Sequence, residues 1–325
     1  MIITRTPFRI SFVGGGSDLR SFYSEHPGAV LSTSINKYMY ISSHRFFDEN
    51  KIQVKYSKTE TVTDKRKIQH PILRAIFQKF GTDGLELSSI ADIASGTGMG
   101  SSSAFTVGVL HNLYSREEKL ISKEQLAKEA CEVEIDLLKE PIGKQDQYAA
   151  ACGGLNIIRF LEDGKVGIEP LFLKKETLTR LEENLLLLYL GNQRKASSIL
   201  EEQNENTKQT SKFKALKQMV DLVPELKNAM SSGDLSQFGK LLHENWCIKK
   251  SLVSNISSKD IDLAYDLALK HGASGGKVLG AGGGGFFLFY CEKEKQPHVI
   301  KALKLRPFSF KFENEGTKLI YRGDE

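Results

Sequence analysis

The stretch Ser95-Gly96-Thr97-Gly98-Met99-Gly100-Ser101-Ser102-Ser103-Ala104 sets glycines at alternate positions ahead of three serines, and a helical pattern begins at once. Glycine leaves no side chain between backbone and ligand. A helix N-terminus offers free N–H groups and the positive end of its dipole. Together they make an anion site whose commonest occupant is phosphate. The serine hydroxyls add donors to phosphate, or ligands to a cation riding on it. The pattern therefore suits a nucleoside triphosphate held with Mg²⁺; the plainer alternative is a loop with a serine N-cap.

Three further constellations support chemistry. Pro7-Phe8-Arg9-Ile10-Ser11-Phe12-Val13-Gly14-Gly15-Gly16-Ser17-Asp18 puts an arginine inside a strand and an aspartate just past a glycine turn. Arg9 suits a transferring phosphoryl group, and Asp18 suits sugar hydroxyls. Glu134 near a helix end and Asp146 after a proline–glycine turn supply two carboxylates, as a phosphotransferase needs for its metal and for its attacking hydroxyl. Lys144 stands beside Asp146. Finally, Gly280-Ala281-Gly282-Gly283-Gly284-Gly285 fits G-x-G-x-x-G, yet it leads into the bulky run Phe286 to Tyr290. A dinucleotide fingerprint must open a helix, so this cluster reads as a loop packed on another backbone or on phosphate. Gly276-Lys277 is followed by Val278, which rules out a Walker A loop, and H-R-D and D-F-G are absent.

The elements that must position these groups are α and β in mixture. Residues 2–13 read as a strand interrupted at Pro7, and 29–35, 37–44 and 52–56 continue a β-rich opening. Helices are expected at 71–80, 101–114 and, behind the capping box Ser122-Lys123-Glu124-Gln125, at 122–138. A hairpin follows over 154–171, then a strand at 185–190, mainly helix over 196–270, strand over 279–290, and a short helix with two strands at the end. At 325 residues the chain exceeds the ~150 typical of one domain, and a change of character near 175–185 divides it into 1–180 and 181–325. A cleft between two α+β domains is the natural ligand site.

Composition narrows the partners. A net charge of +5, spread along the chain, suits anionic small molecules and argues against nucleic acid. No apolar run reaches the ~18 residues of a membrane span. Arg5 and Arg9 interrupt any signal-peptide core, and Cys131, Cys152, Cys247 and Cys291 show no metal-type pairing. The expectation is a cytoplasmic protein with reduced thiols, with a homodimer as the candidate assembly.

Taken together, these residues resemble the GHMP kinase superfamily of galactokinase, homoserine kinase, mevalonate kinase and phosphomevalonate kinase. Its three motifs are matched in order by residues 7–19, 94–104 and 277–287, so the resemblance spans essentially the whole chain. It implies a two-domain α+β GHMP fold with the active site in the interdomain cleft, and ATP with Mg²⁺ as cofactors. By motif position it implies ATP binding at Gly96, Thr97, Gly98, Met99, Gly100, Ser101, Ser102 and Ser103. Ser102 and Glu134 fall at the Mg²⁺ ligands, Asp146 at the base and Arg9 at the basic residue beside it. Gly15, Gly16, Ser17, Asp18, Lys144, Gly282 and Gly283 fall on the substrate side. Gly14-Gly15-Gly16-Ser17-Asp18 departs from galactokinases, which carry a glycine, glutamate and histidine before a threonine–aspartate pair. The triple-glycine form looks more like the members acting on the anomeric hydroxyl of D-glycero-D-manno-heptose 7-phosphate, with fucokinase domains sharing much of the pattern. A catalytically silent sugar sensor is the alternative from another class. A phosphorylated sugar acceptor calls for a cation; Arg20, Lys144, Arg194 and Lys195 are the candidates, and the adenine is expected along 55–71.

Overall fold

The computed structural model describes residues 1–191, 196–207 and 209–323. In chain order it contains β1 (Ile2–Val13), α1 (Arg20–Tyr23), β2 (Gly28–Arg45), β3 (Ile52–Lys55), β4 (Thr59–Val62), α2 (Pro71–Phe80), β5 (Leu85–Ala91), α3 (Ser101–Arg116), α4 (Lys123–Cys131), α5 (Gln145–Cys152), β6 (Leu155–Phe160), β7 (Val166–Pro170), α6 (Lys175–Asn184) and β8 (Leu185–Gly191). The second half adds α7 (Ala196–Asn206), α8 (Thr210–Ser232), α9 (Leu235–Lys250), α10 (Lys259–Lys270), β9 (Ala273–Val278), β10 (Gly285–Cys291), α11 (Gln296–Leu303), β11 (Arg306–Pro307), β12 (Phe312–Glu313) and β13 (Lys318–Arg322). None of these helices is long and apolar enough to cross a membrane.

A nine-stranded sheet is organised around β2, whose length lets it pair β1 along one side and β5, β12 and β6 in turn along the other. The second sheet runs β11-β8-β10-β9, all antiparallel. The breaks expected at Pro7 and between 35 and 37 are instead one irregularity in two unbroken strands: the register shifts between Pro7 and Phe8, opposite Tyr38 and Ile35. Proline has no N–H for the ladder, and a bulge absorbs that loss.

From Thr6 onward β1 loses its alternation and is buried at every position. The reason is that helices cover both faces: α3 and α5 pack on β1 from the first half of the chain, α8 and α9 from the second. Phe12 meets Phe238 of α9 edge-on at 5.3 Å, a contact worth ~0.5–1.5 kcal/mol beyond its buried area. One apolar core therefore runs across the junction of the two sheets, and Trp246, Phe287 and Phe289 centre a second beneath β10.

Three expectations change. The helix expected over 122–138 is α-helical only to Cys131 and then widens into a π-helical turn, Glu132–Leu137. The strand expected over 279–290 starts only at Gly285: Leu279 to Gly284 form the connection from β9, a strand outside the expected range. The chain also closes with three strands rather than two, and β12 and β13 leave the second sheet to pair β2 and β1 in the first. Residues beyond 311 thus complete the sheet begun by residues 2–45.

Candidate active site

Arg9 lies in the inner part of β1, paired with Ser34, and its side chain emerges at the junction of the two sheets. Its guanidinium grips Asp146 in a fork: Nε donates to Oδ1 at 2.7 Å and Nη2 to Oδ2 at 2.8 Å, while Nη1 donates to Gly98 O at 2.7 Å. Such planar two-point pairs fix geometry as well as charge. Asp146 sits in the first turn of α5, where the helix dipole favours a negative group. Gln145 ties the neighbourhood together. Its Nε2 donates to Asp146 Oδ1 at 3.3 Å, its backbone N–H to Asp18 Oδ2 at 3.3 Å, and its Oε1 accepts from Ser11 Oγ at 3.1 Å.

Asp18 is held by the turn that precedes it, its Oδ1 accepting from Gly16 N at 2.9 Å. Gly16 has φ +102°, and a Cβ there would lie 2.2 Å from Gln203 Nε2 of α7. Burial pushes the Asp18 carboxyl up, and the nearby Asp146 adds to the shift. Ser17 turns inward, its Oγ within hydrogen-bond reach of Gly14 O at 2.8 Å and Ala29 O at 3.1 Å, so it braces the turn and does not line the cavity.

The glycine–serine loop enters α3 through Gly100, which takes the N-cap position in a left-handed conformation with no side-chain cap. The serines are therefore not N-caps. Ser102 Oγ donates to Glu134 Oε1 at 2.6 Å, and Ser103 Oγ and Gln147 Nε2 donate to Glu134 Oε2 at 2.9 and 2.8 Å. This leaves the first N–H groups of α3 facing the cleft, as an anion site requires. Glu134 projects from the π-helical turn and is fully buried; burial pushes its carboxyl up to about 6, against the opposing pull of its three donors.

The two glycine loops meet backbone to backbone. A Cβ on Gly98 would fall 2.5 Å from Leu279 O, and one on Gly280 would fall 2.4 Å from the Gly98 Cα. The third glycine cluster thus packs on the first, as its sequence suggests, with Gly280 and Ala281 reaching the cleft wall. Gly282 and Gly283, expected on the substrate side, turn away onto Ile256, whose O accepts from Gly283 N at 2.9 Å.

These groups enclose a cavity of about 210 Å³ lined by Arg9, Gly15, Gly16, Asp18, Asp146, Gly96, Gly98, Gly100 and Ser101 to Ser103. Glu134 reaches it through Ser102 and Ser103. Thr97 and Met99 stay inside the fold, Thr97 Oγ1 donating to Ala94 O at 2.9 Å. Lys144 does not line the cavity: its Nζ donates to Gly164 O at 2.6 Å and lies over the Tyr23 ring. Arg20 is exposed and apart, and Arg194 and Lys195 lie outside the described residues. None of 55–71 lines the cavity. Sequence reasoning missed Ser11, Gln145, Gln203, Lys249 and Lys277, all of which do. For Lys277 a signal existed, a lysine inside a strand that runs into Val278 and Leu279.

A carboxylate with a hydroxyl neighbour, an arginine on that carboxylate and a phosphate-type loop within one cavity form a set for moving a phosphoryl group to an alcohol. Comparison with known proteins agrees in kind. The model of the GHMP kinases N terminal domain matches residues 67–154, and that of the GHMP kinases C terminal matches residues 214–307, together more than half the chain. The D-glycero-alpha-D-manno-heptose 7-phosphate kinase of Campylobacter jejuni is 28% identical over 98% of this chain and 98% of its own length. The bifunctional fucokinase/GDP-fucose pyrophosphorylase of Arabidopsis thaliana is 25% identical over 91% of this chain, which spans only 30% of that protein. In fold, the crystal structure of a D-glycero-D-manno-heptose 1-phosphate kinase from Bacteroides thetaiotaomicron superposes with a TM-score of 0.81 at 22% identity, covering 100% of both chains.

Proposed function

Since the chain belongs to the GHMP kinase superfamily and is a sugar kinase of it, we propose that it moves the γ-phosphoryl group of ATP to the anomeric hydroxyl of D-glycero-D-manno-heptose 7-phosphate, giving the 1,7-bisphosphate. The observation that carries the chemistry is the fork between Arg9 and Asp146, set beside the glycine–serine loop and opposite Asp18. The acceptor assignment rests on likeness over the whole chain to a heptose 7-phosphate kinase, and on the triple-glycine turn before Asp18.

In this reading the phosphates lie on the free N–H groups at the start of α3. Asp18 accepts from sugar hydroxyls and orients the ring. Asp146 accepts the proton of the attacking hydroxyl as its oxygen bonds to phosphorus and the bond to the ADP oxygen breaks. An anomeric hydroxyl is more acidic than other sugar hydroxyls, so little is asked of the base. Arg9, held between Asp146 and Gly98 O, stands where charge develops, and positioning with electrostatics supplies most of the rate. The donor set fits Mg²⁺: a carboxylate and a hydroxyl, Glu134 and Ser102, with no cluster of three His, Cys, Asp or Glu ligands among the described residues. Phosphate and water oxygens complete such a site. Bound there, the ion would neutralise phosphate charge.

The test is ADP release with Mg·ATP against heptose 7-phosphate, fucose, galactose and mevalonate under identical conditions. Turnover with heptose 7-phosphate alone supports the reading. Turnover only with an unphosphorylated sugar retains the kinase and replaces the acceptor. Silence on all four with ATP still bound points to another acceptor or to a sensor.

A further inference from the structure

The wall of the cavity contributed by the second half of the chain carries buried lysines that form no ion pair among the described residues. Lys249, in the last turn of α9, is 4% exposed, and its Nζ donates to Gly280 O. Lys277 of β9 is 1% exposed, and its Nζ donates to Phe12 O at 2.8 Å. Neither ammonium forms an ion pair with a carboxylate among the described residues. An ammonium has three donors, so each lysine has two left over. Gln203 of α7, 2% exposed, lines the same cavity and leaves its Nε2 without a partner. Arg9 is committed to Asp146, and the Asp18 oxygens already accept from backbone N–H groups.

Burying a cation without a hydrogen-bonded counter-charge is costly. Holding Gly280 O does not require that expense, because a neutral glutamine would donate to it as well. The charge makes sense if an anion completes the wall. We propose that Lys249, with the Gln203 amide that lines the same cavity, binds a phosphoryl group of a substrate. The inference rests on the kinase reading, which brings two such groups: the phosphoryl in transfer and the acceptor's own phosphate. Burial, with the Arg9 charge, pushes the Lys249 ammonium down to about 8, while Asp18 and Asp146 oppose the shift. Burial, Lys249 and Arg9 push Lys277 well below the ordinary lysine value.

The experiment compares full-length wild type with Lys249→Gln and Lys249→Arg, using heptose 7-phosphate and the unphosphorylated heptose as acceptors. Melting temperature and ADP affinity serve as controls. The expected result is a loss of about 100-fold or more in kcat/KM for Lys249→Gln at near-native ADP affinity, with Lys249→Arg recovering at least tenfold. Wild-type kcat/KM should also fall above about pH 8 as the ammonium loses its proton, and that limb should vanish in Lys249→Arg. A loss in kcat with both acceptors assigns the lysine to the phosphoryl in transfer. A loss in KM confined to the phosphorylated acceptor assigns it to the acceptor's phosphate. If Lys249→Gln works within threefold of an active wild type, the charge is not used and the inference falls alone. If wild type turns over neither acceptor nor any other sugar, the kinase reading and the inference fall together.

Discussion

Replacing Asp146 by asparagine tests the centre of the site. The change keeps one acceptor for Arg9 but removes the charge and the proton-accepting oxygen. Positioned general bases contribute ~10²- to 10⁴-fold, or ~3–5 kcal/mol of barrier, and kcat should fall by that factor. The fold should suffer less. Breaking a fully buried ion pair costs ~3–5 kcal/mol, but the Asp146 side chain is 27% exposed and Arg9 keeps Gly98 O, so about 1–3 kcal/mol is expected. In a chain of this length that is a few degrees of melting temperature. Rapid-quench single turnover with saturating Mg·ATP and heptose 7-phosphate isolates the chemical step, and calorimetry with ADP reports the nucleotide site. ADP affinity should stay within a few fold, because the N–H groups of α3 are untouched. Single-turnover rates within tenfold of wild type would remove Asp146 from the chemistry. Loss of ADP binding along with turnover would make it a structural residue. Arg9→Met combined with Asp146→Asn should cost far less than the two changes summed, since the residues act as one unit.

Gly98→Ala forces a φ of +82° on a residue with a side chain and drives its Cβ to 2.5 Å from Leu279 O. ATP affinity should drop at least tenfold with a lowered melting temperature, and unchanged calorimetry would refute the backbone-to-backbone packing of the two loops. His111 is held neutral chiefly by burial, with Lys123 adding to the effect, its value pushed down to about 4 from the ordinary 6.5. The unfolded chain therefore takes up this proton first, and stability falls as pH drops from about 6.5 to about 4, by about 2 kcal/mol at pH 5. Urea unfolding of His111→Asn at pH 7 and pH 5 should show that much less difference than wild type; equal differences would refute the assignment. Truncation after Asn314 removes Thr317, whose N–H donates to Ala150 O and Ala151 O at the far end of α5. Turnover should fall more than tenfold because the helix carrying Asp146 loses its anchor and β1 its partner β13, and a fully active truncated chain would show that neither is needed.

What the sequence discloses about the site is the part made by local chemistry. Alternate glycines before a helix, an arginine in a strand and an aspartate after a turn are all visible because spacing alone constrains them. Gly282 and Gly283 mislead because a glycine run shows that backbones approach without showing which glycine faces the ligand. Lys144 misleads in another way, since adjacency to Asp146 in sequence places it at the N-cap of α5, from which its side chain runs to Gly164. Lys249 and Gln203 are silent in sequence: each sits in an ordinary amphipathic helix, and a lysine in a last helical turn already has a reason to be there. In the fold, the long strands and helices follow their periodicity. The π-helical turn escapes because apolar spacing hardly changes across it, and β12 is two residues long, too short to carry any pattern.

The pairing of β13 with β1 joins residues 318–322 to residues 2–5. During synthesis β1 and β2 emerge well before residues 318–322, and until those appear the start of β1 lacks its β13 partner. At ~5–20 residues per second the nascent sheet waits with that edge open for about 15–60 s. An unpaired edge is a template for pairing with other chains, so this interval is when association with a neighbouring copy competes best with folding. The same return means that the backbone crosses between the two sheets twice, once after β7 and once after β11. Two crossings act as two tethers on any hinge motion between them, so opening to admit substrate must pivot about both.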